Sequence, residues 1–149
     1  MSTPDTLKVL NELIRTSEDG DRGFTEAANI TKDAQLKLLF QDCAQQCHEA
    51  VIDLQDEVAL LGGKFSESGT ATGAARRAWI NLKSSIGIED VSLLEEVERE
   101  EDKAKAVYLN AVRTELPAKI KGLVQAQCEG AVRNHDRVRD LRNRYRAGV

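Results

Sequence analysis

Two cysteines and a histidine lie close together in the segment QDCAQQCHEA, where Cys43 and Cys47 are four residues apart and His48 follows directly. In a helix this spacing puts both thiols on one face, which suits a soft cation such as Cu(I). It disfavours a disulfide, because side chains four residues apart point along one row and not at each other. The alternative is that both cysteines fill a helix-bundle core as small apolar side chains.

The third cysteine, Cys128, would lie about two or three residues deeper in the same bundle than Cys47. Three thiols could then approach a common space and bind Cu(I). An odd number of cysteines, three in this chain, fits reduced thiols or metal ligands better than a framework of disulfides.

A second group of residues has donor types that zinc and iron accept. It consists of Asp21, Cys43, Glu101 and His135, each on the apolar stripe of a different predicted helix. If the second and third helices start at the same end, all four residues lie about eight to eleven positions from that end and could bind one metal ion. The alternative is a buried polar layer in which Glu101 and His135 hydrogen-bond to each other. Asp21 could also face the solvent.

The elements that would hold these residues are helices. Apolar residues recur at spacings of three and four, which predicts a first helix over about residues 4–29 with Thr3 as its N-cap. A second helix of about thirty residues begins after Thr31 and ends at Gly62. Both helices carry one apolar stripe, as expected for members of a bundle.

Two further long helices follow. Ser92 and Glu95 match the capping box that starts a helix, and the third helix is predicted to end near Leu116. Pro117 then interrupts the chain, and a fourth helix is predicted over about residues 118–146. The acidic start of the third helix and the basic end of the fourth would lie opposite one another and pair.

The connections between the helices predict the topology. Helices 1 and 2, and helices 3 and 4, are joined by short links and must be antiparallel, whereas about thirty residues separate helix 2 from helix 3. That link can travel the length of the bundle, and its segment AARRAWINLKSSIG predicts a short amphipathic helix held by Trp79. We therefore predict an all-α fold, one ferritin-like four-helix-bundle domain over residues 1–149, with a long crossover carrying a short helix between helices 2 and 3.

Several segments together resemble a known family. They are LNELIRTSEDGDRGFTEAA, LQDEVALLGG, AWINLKS, VEREEDKAKAVY and HDRVRDLR, in this order along nearly the whole chain. They are similar to a bacterial four-helix-bundle family of uncharacterised function that is grouped with the ferritin-like proteins. The resemblance implies a ferritin-like bundle, and it brings no established activity with it.

The usual signature of a di-iron site is missing. Such sites need Glu-x-x-His on two helices, but Gln45 precedes His48 by three residues and Val132 precedes His135 by three. An ordinary di-iron oxygenase or ferroxidase centre is therefore not expected. The sequence also lacks a Ser/His/Asp set, a Walker loop, a dinucleotide fingerprint and a paired-cysteine zinc signature, and ordinary hydrolytic chemistry is not expected.

Composition narrows the choice of partners. The net charge is −4 and the basic residues are not gathered with aromatic ones, so a nucleic-acid partner is not expected. The apolar runs are too short to span a bilayer and no secretory signal is present, which predicts a cytoplasmic protein without a membrane partner. A homodimer is compatible with the apolar flanks of bundle helices.

Three functions are compatible with these observations. The first is a non-catalytic, stress-associated or scaffold protein that acts through its surface. The second is a metal-binding protein or metal-dependent oxidoreductase that uses Asp21, Glu101 and His135, with Cys43 as a further donor, to bind iron or zinc. The third is a Cu(I)-handling protein that uses its three cysteines.

Overall fold

The structure is a computed structural model, and it describes residues 2–65 and 89–148. These residues form four helices and no strand, so the all-α prediction is confirmed for them. The helices are α1 (Thr3–Ile30), α2 (Ala34–Leu60), α3 (Asp90–Val112) and α4 (Ala118–Arg146). No described helix is both long and apolar enough to cross a membrane. The short helix predicted around Trp79 lies outside the described residues.

The ends of the first two helices differ slightly from the prediction. Ser2, and not Thr3, is the N-cap of α1, and its Oγ accepts a hydrogen bond from the Asp5 N–H at 3.3 Å. The N-cap of α2 is Asp33, whose carboxylate accepts hydrogen bonds from two backbone N–H groups of the first turn. Thr31, the predicted cap of this helix, is instead the C-cap of α1. A carboxylate that accepts two hydrogen bonds is the stronger cap.

The predicted capping box of the third helix is also wrong. α3 begins at Asp90, with Glu89 at the N-cap, so Ser92 lies inside the helix. Asp90 is fixed at this end because its Oδ1 accepts a hydrogen bond from the Thr31 hydroxyl at 2.7 Å. An acidic residue in the first turn is also favoured by the helix dipole. The predicted bounds of the fourth helix agree with α4.

Contacts between helices give their directions. The end of α1 meets the start of α3 through Thr31 and Asp90, and the Ser17 and Tyr108 hydroxyls lie 2.7 Å apart further along, so these helices are antiparallel. α2 and α4 are antiparallel as well, because Tyr145 donates to Asp33 at 2.7 Å near the start of α2. Since α1 is antiparallel to α2 across a short link, α2 and α3 begin at the same end.

The apolar core has two parts, which lie toward opposite ends of the bundle. The part near the start of α2 contains Phe24, Leu36, Phe40, Cys43, Leu93, Leu94, Val97 and Val138. The other part contains Leu10, Leu13, Ile14, Leu54, Val58, Ile120, Val124 and Cys128. Polar side chains from all four helices lie at the level between them, where burial without a partner is costly.

Candidate functional site

The buried polar level is built around a close approach of α1 and α2. Gly20 lies against Cys47, and a Cβ atom placed on Gly20 would be 2.8 Å from the Cys47 Sγ. The absence of a side chain at Gly20 therefore makes room for the thiol. Burial raises the pKa of the Cys47 thiol well above its usual value, so this sulfur is a poor nucleophile.

Glu101 projects from α3 into the same level. Its side chain is only 5% exposed, and no hydrogen bond or ion pair joins it to another residue of the described ranges. Burial, together with the neighbouring carboxylates of Glu100 and Asp102, raises the pKa of Glu101 to about 8. At neutral pH Glu101 is therefore mostly an uncharged carboxylic acid.

Two cavities meet at Glu101. One, of about 370 Å³, lies between α1 and α3, and the other, of about 260 Å³, extends toward α2 and α4. The residues that line both cavities are Thr16, Gly20, Glu101 and Ala104. Because Gly20 and Ala104 have so little side chain, the Glu101 carboxyl is reached from either cavity.

Tyr108 satisfies several polar groups next to these cavities. Its hydroxyl lies 2.7 Å from the Ser17 hydroxyl and donates to Gln127 Oε1 at 3.0 Å, while Gln127 Nε2 donates to the Ala50 carbonyl at 3.4 Å. Burial raises the pKa of Tyr108 above its usual value. The chain of hydrogen bonds ties all four helices together, and its groups are paired, which is typical of buried polar groups.

A second polar cluster lies between α3 and α4, around His135. The imidazole is 5% exposed, and its Nδ1 is 3.0 Å from Asp136 Oδ1. The other ring nitrogen, Nε2, is 2.5 Å from Asp102 Oδ1 and 4.0 Å from Glu98 Oε1. Glu98 also forms an ion pair with Arg142 on its other oxygen.

The Nε2 atom of His135 is close to carboxylates without being hydrogen-bonded. Within the described ranges it has no hydrogen-bond partner, although Asp102 Oδ1 lies close to it. One donor atom from each of Glu98, Asp102 and His135 lies within 4.8 Å of the others. This spacing allows all three to bind one cation.

The donor types of this cluster fit a transition metal. Imidazole and carboxylate groups are ligands of zinc and of ferrous iron. A histidine that binds metal commonly uses its other ring nitrogen to contact a carboxylate, which fixes the tautomer. Asp136 occupies that position on Nδ1 of His135. Its pKa is lowered by the hydrogen bond from His135, which favours the charged carboxylate.

Two of the four residues predicted to bind a metal lie apart from the His135 cluster. Asp21 forms an ion pair with His48 at 3.4 Å, at the rim of the bundle, where the two side chains are 35% and 57% exposed. Cys43 is fully buried in the apolar core, and burial raises its pKa to about 12.

The other two predicted residues are both buried on facing helices. Burial is the main cause of the raised pKa of the Cys43 and Cys47 thiols, and the nearby Glu101 adds to it. The polar partners of His135 are Glu98, Asp102 and Asp136, so the hydrogen bond between Glu101 and His135 that was the alternative is not formed. A metal site made of Asp21, Cys43, Glu101 and His135 stays a prediction.

The cysteines belong to different parts of the core. Cys43 packs with the apolar residues near the start of α2, and Cys128 packs with those at the other end of the bundle. All three thiols are free, and burial raises the pKa of each. A thiolate is needed for metal binding, so these surroundings favour packing over coordination. The Cu(I) site also stays a prediction.

Glu98 and Asp102 were not recognised from the sequence. They belong to the acidic run EEVEREED, which was interpreted as a charged face that pairs with the end of the fourth helix. The sequence did contain an indication of this cluster, because the Glu98 and Asp102 carboxylates are four residues apart and therefore share one helix face. That face lies next to the one that carries Glu101.

A comparison with known sequences finds a family that matches most of the chain. The model of a family described as Domain of unknown function (DUF2383) matches residues 5–114, from the first turn of α1 past the end of α3. α4, which carries His135, follows the matched residues. No curated protein matches the sequence. Since the match covers well over half of the chain, the protein belongs to the DUF2383 family, whose function is unknown.

Proposed function

We propose that this protein is a ferritin-like four-helix bundle that binds a divalent transition metal between α3 and α4. Its ligands are Glu98, Asp102 and His135. The observation that carries the proposal is the buried Nε2 atom of His135, which faces two carboxylates and has no hydrogen bond to the described residues. The common starting end of α2 and α3 supports the ferritin-like arrangement, in which a long crossover joins two antiparallel pairs.

Metal binding accounts for the polar contacts of His135. Buried polar atoms almost always have a partner, and a metal ion would give Nε2 one. The contact of Nδ1 with Asp136 at 3.0 Å leaves the Nε2 lone pair available when the imidazole is neutral. A cation bound by the three donors would also reduce the electrostatic repulsion between the Glu98 and Asp102 carboxylates.

The charges around the cluster favour a cation. The carboxylates of Glu98, Asp102 and Asp136 are opposed by Arg142, which pairs with Glu98, and by Arg139, which is 3.4 Å from Asp136. Three negative and two positive groups leave one negative charge when His135 is neutral. A divalent ion would therefore be attracted, and Arg142 would compete with it for Glu98.

The chemistry of the three donors also narrows the choice of metal ion. One imidazole and two carboxylates suit zinc or ferrous iron, whereas Cu(I) prefers the thiolates that this cluster lacks. Three protein ligands leave room for water or for a substrate oxygen in the remaining coordination positions. If the metal is iron, the open position makes the protein a candidate metal-dependent oxidoreductase.

The test is metal binding by the purified protein. The chain is prepared without an affinity tag, stripped with EDTA, dialysed and titrated anaerobically with Fe²⁺ and, separately, with Zn²⁺. We expect one equivalent to bind to the wild type and to be lost in His135→Gln. The matched control is His48→Gln, which changes the other histidine, at an exposed ion pair. Equal binding by both variants would contradict the proposal.

Further variants separate this site from the set predicted from sequence. Glu98→Gln and Asp102→Asn should release the metal, whereas Asp21→Asn and Cys43→Ala should retain it. The opposite pattern would assign the metal to Asp21, Cys43, Glu101 and His135. Circular dichroism of each variant establishes that a loss of metal is not a loss of fold.

A non-catalytic, stress-associated or scaffold role is the second candidate. It is favoured by the two arginines, since Arg142 and Arg139 already pair with carboxylates of the cluster and could stabilise it without a metal. On this alternative the wild type takes up no metal, and His135→Gln changes only the free energy of unfolding.

A further inference from the structure

Glu101 is a buried carboxyl group that lacks a partner among the described residues, and the proposed metal site does not use it. It is 5% exposed, and it lines both of the cavities that meet at the middle of the bundle. Burying a carboxyl group without a hydrogen bond destabilises a folded protein. Such a group in a native structure therefore calls for an explanation, and a role in binding a ligand is one.

The cavity between α1 and α3 has an excess of carboxyl groups. Asp19, Glu100 and Glu101 line it, and Lys103, the only basic residue among the described residues of its lining, already pairs with Glu100 at 3.2 Å. The Oδ1 atom of Asp19 is buried and has no hydrogen-bond partner in the described ranges. Arg15 and Arg22 act on Asp19 electrostatically but do not line the cavity.

The remaining wall of this cavity is mostly apolar. Phe24, Val97 and Val107 contribute hydrocarbon surface, while Gly20 and Gly23 keep the α1 side open. Its volume of about 370 Å³ is near the lower end of the range for small-molecule sites, which is roughly 300–1,000 Å³. An occupant must therefore be small and must combine a polar head with an apolar body.

We infer that this cavity binds a small organic cation, a primary amine with a short apolar chain, whose ammonium group contacts Glu101 and Asp19. An ammonium group supplies hydrogen-bond donors to both carboxyl groups, and its positive charge is favoured beside the carboxylate of Asp19. An anion would be repelled by the carboxylates of Asp19 and Glu100, and a neutral apolar molecule would leave Asp19 Oδ1 and Glu101 without a hydrogen-bond partner. The chain lies against Phe24 and Val97, and a longer one extends past Ala104 toward Cys47.

The probe is hexylamine, added to the full-length protein in the presence of EDTA and followed by isothermal titration calorimetry. Hexan-1-ol and hexanoate serve as ligands of the same chain length with a neutral and an anionic head. Glu101→Gln replaces one carboxyl oxygen with an N–H donor and keeps the shape, and its matched control is Glu115→Gln, at an exposed position after α3. Ala104→Leu adds bulk to the wall that both cavities share and leaves Glu101 unchanged.

We expect hexylamine to bind the wild type and Glu115→Gln with one site each. Glu101→Gln and Ala104→Leu should each bind at least about ten times more weakly, and hexan-1-ol and hexanoate should bind no better than these variants. No hexylamine binding at millimolar concentration would overturn the inference. Binding unchanged by Glu101→Gln, or hexan-1-ol binding as tightly as hexylamine, would do so too.

The proposed amine site and the proposed metal site can be tested independently of each other. His135→Gln should keep hexylamine binding, because His135 does not line either cavity. Binding of hexylamine without binding of metal would support this inference and contradict the proposed function. Binding of metal without binding of hexylamine would support the proposed function and contradict this inference.

Discussion

Gly20 and Cys47 are in direct contact across the interface of α1 and α2, and the space that a Cβ would need at Gly20 is taken by the Cys47 Sγ, at 2.8 Å. The contact fixes how closely these two helices approach at the level of Glu101. It also explains why a residue with poor helix propensity lies in the middle of a helix of 28 residues.

Gly20→Ala should destabilise the protein by about 1–2 kcal/mol, because overpacking outweighs the gain in helix propensity. In the double variant with Cys47→Ala, the sulfur is gone and the added methyl group should be tolerated. Urea denaturation of the wild type, both single variants and the double variant gives the coupling energy, which we expect to exceed about 0.5 kcal/mol.

The control for this experiment is Gly122→Ala in α4, where a Cβ would meet nothing within 4 Å. This variant should gain roughly 0.5–1 kcal/mol from helix propensity alone. If Gly20→Ala were as stabilising as Gly122→Ala, the contact between Gly20 and Cys47 would not restrict the helices.

Glu101 makes the stability of the metal-free protein depend on pH. Its pKa is raised from 4.5 to about 8 in the folded state, mainly by burial, so the folded state binds the proton more tightly than the unfolded state. The resulting stabilisation is fully present below pH 4.5 and is lost as the pH rises to about 8. Across this whole pH window, the free energy of unfolding of the wild type should fall relative to that of Glu101→Gln by about 5 kcal/mol.

Urea denaturation in EDTA at pH 5 and at pH 8.5 measures this loss. Wild type and Glu101→Gln should differ little at pH 5, and the variant should be the more stable of the two at pH 8.5. Because the two proteins share all other ionisable groups, the effect of titrating those groups on stability cancels in the comparison. A difference that is the same at both pH values would mean that Glu101 ionises normally in the folded protein.

Tyr108→Phe should cost about 1–3 kcal/mol, because it leaves the buried Ser17 hydroxyl and Gln127 Oε1 without their common partner. Tyr145→Phe is the control, since Tyr145 donates to the more accessible Asp33 at the start of α2, and it should cost less than about 1 kcal/mol. Thermal unfolding followed by circular dichroism gives both values. If both variants lost the same free energy of unfolding, the central hydrogen bonds would contribute no more to stability than the hydrogen bond at a helix end.

The sequence predicted the fold more fully than the site, and single residues show why. Pro117 interrupts the chain and a regular apolar stripe follows, so the bounds predicted for the fourth helix agree with α4. At the other helix starts, several residues that could act as caps compete, and the prediction took Thr3, Thr31 and Ser92 where the structure has Ser2, Asp33 and Glu89.

The site depends on the rotation of α3 about its own axis, which periodicity does not determine. Consecutive residues point about 100° apart on a helix, so Glu101 and Asp102 face different neighbours. Glu101 and His135 were both predicted to be buried, and both are. The orientation of α3 decides that Asp102, and not Glu101, approaches His135.

Arg142 gives a test of the metal site that does not remove a ligand. Its guanidinium group pairs with Glu98, and its side chain is only 18% exposed, so a metal ion must compete with it for this carboxylate. Arg142→Gln should therefore increase zinc affinity by about ten-fold, which corresponds to about 1.4 kcal/mol.

Arg144→Gln, an exposed change in the last turn of α4, is the matched control and should leave the affinity unchanged. Competition with a chromophoric chelator measures the affinity of both variants. Without metal, Arg142→Gln should be less stable than the wild type, because Glu98 keeps its charge in a partly buried place and loses its partner. Added zinc should restore that stability, since the ion replaces the guanidinium charge. A variant that loses stability and gains no zinc affinity would identify the cluster as a structural ion-pair network.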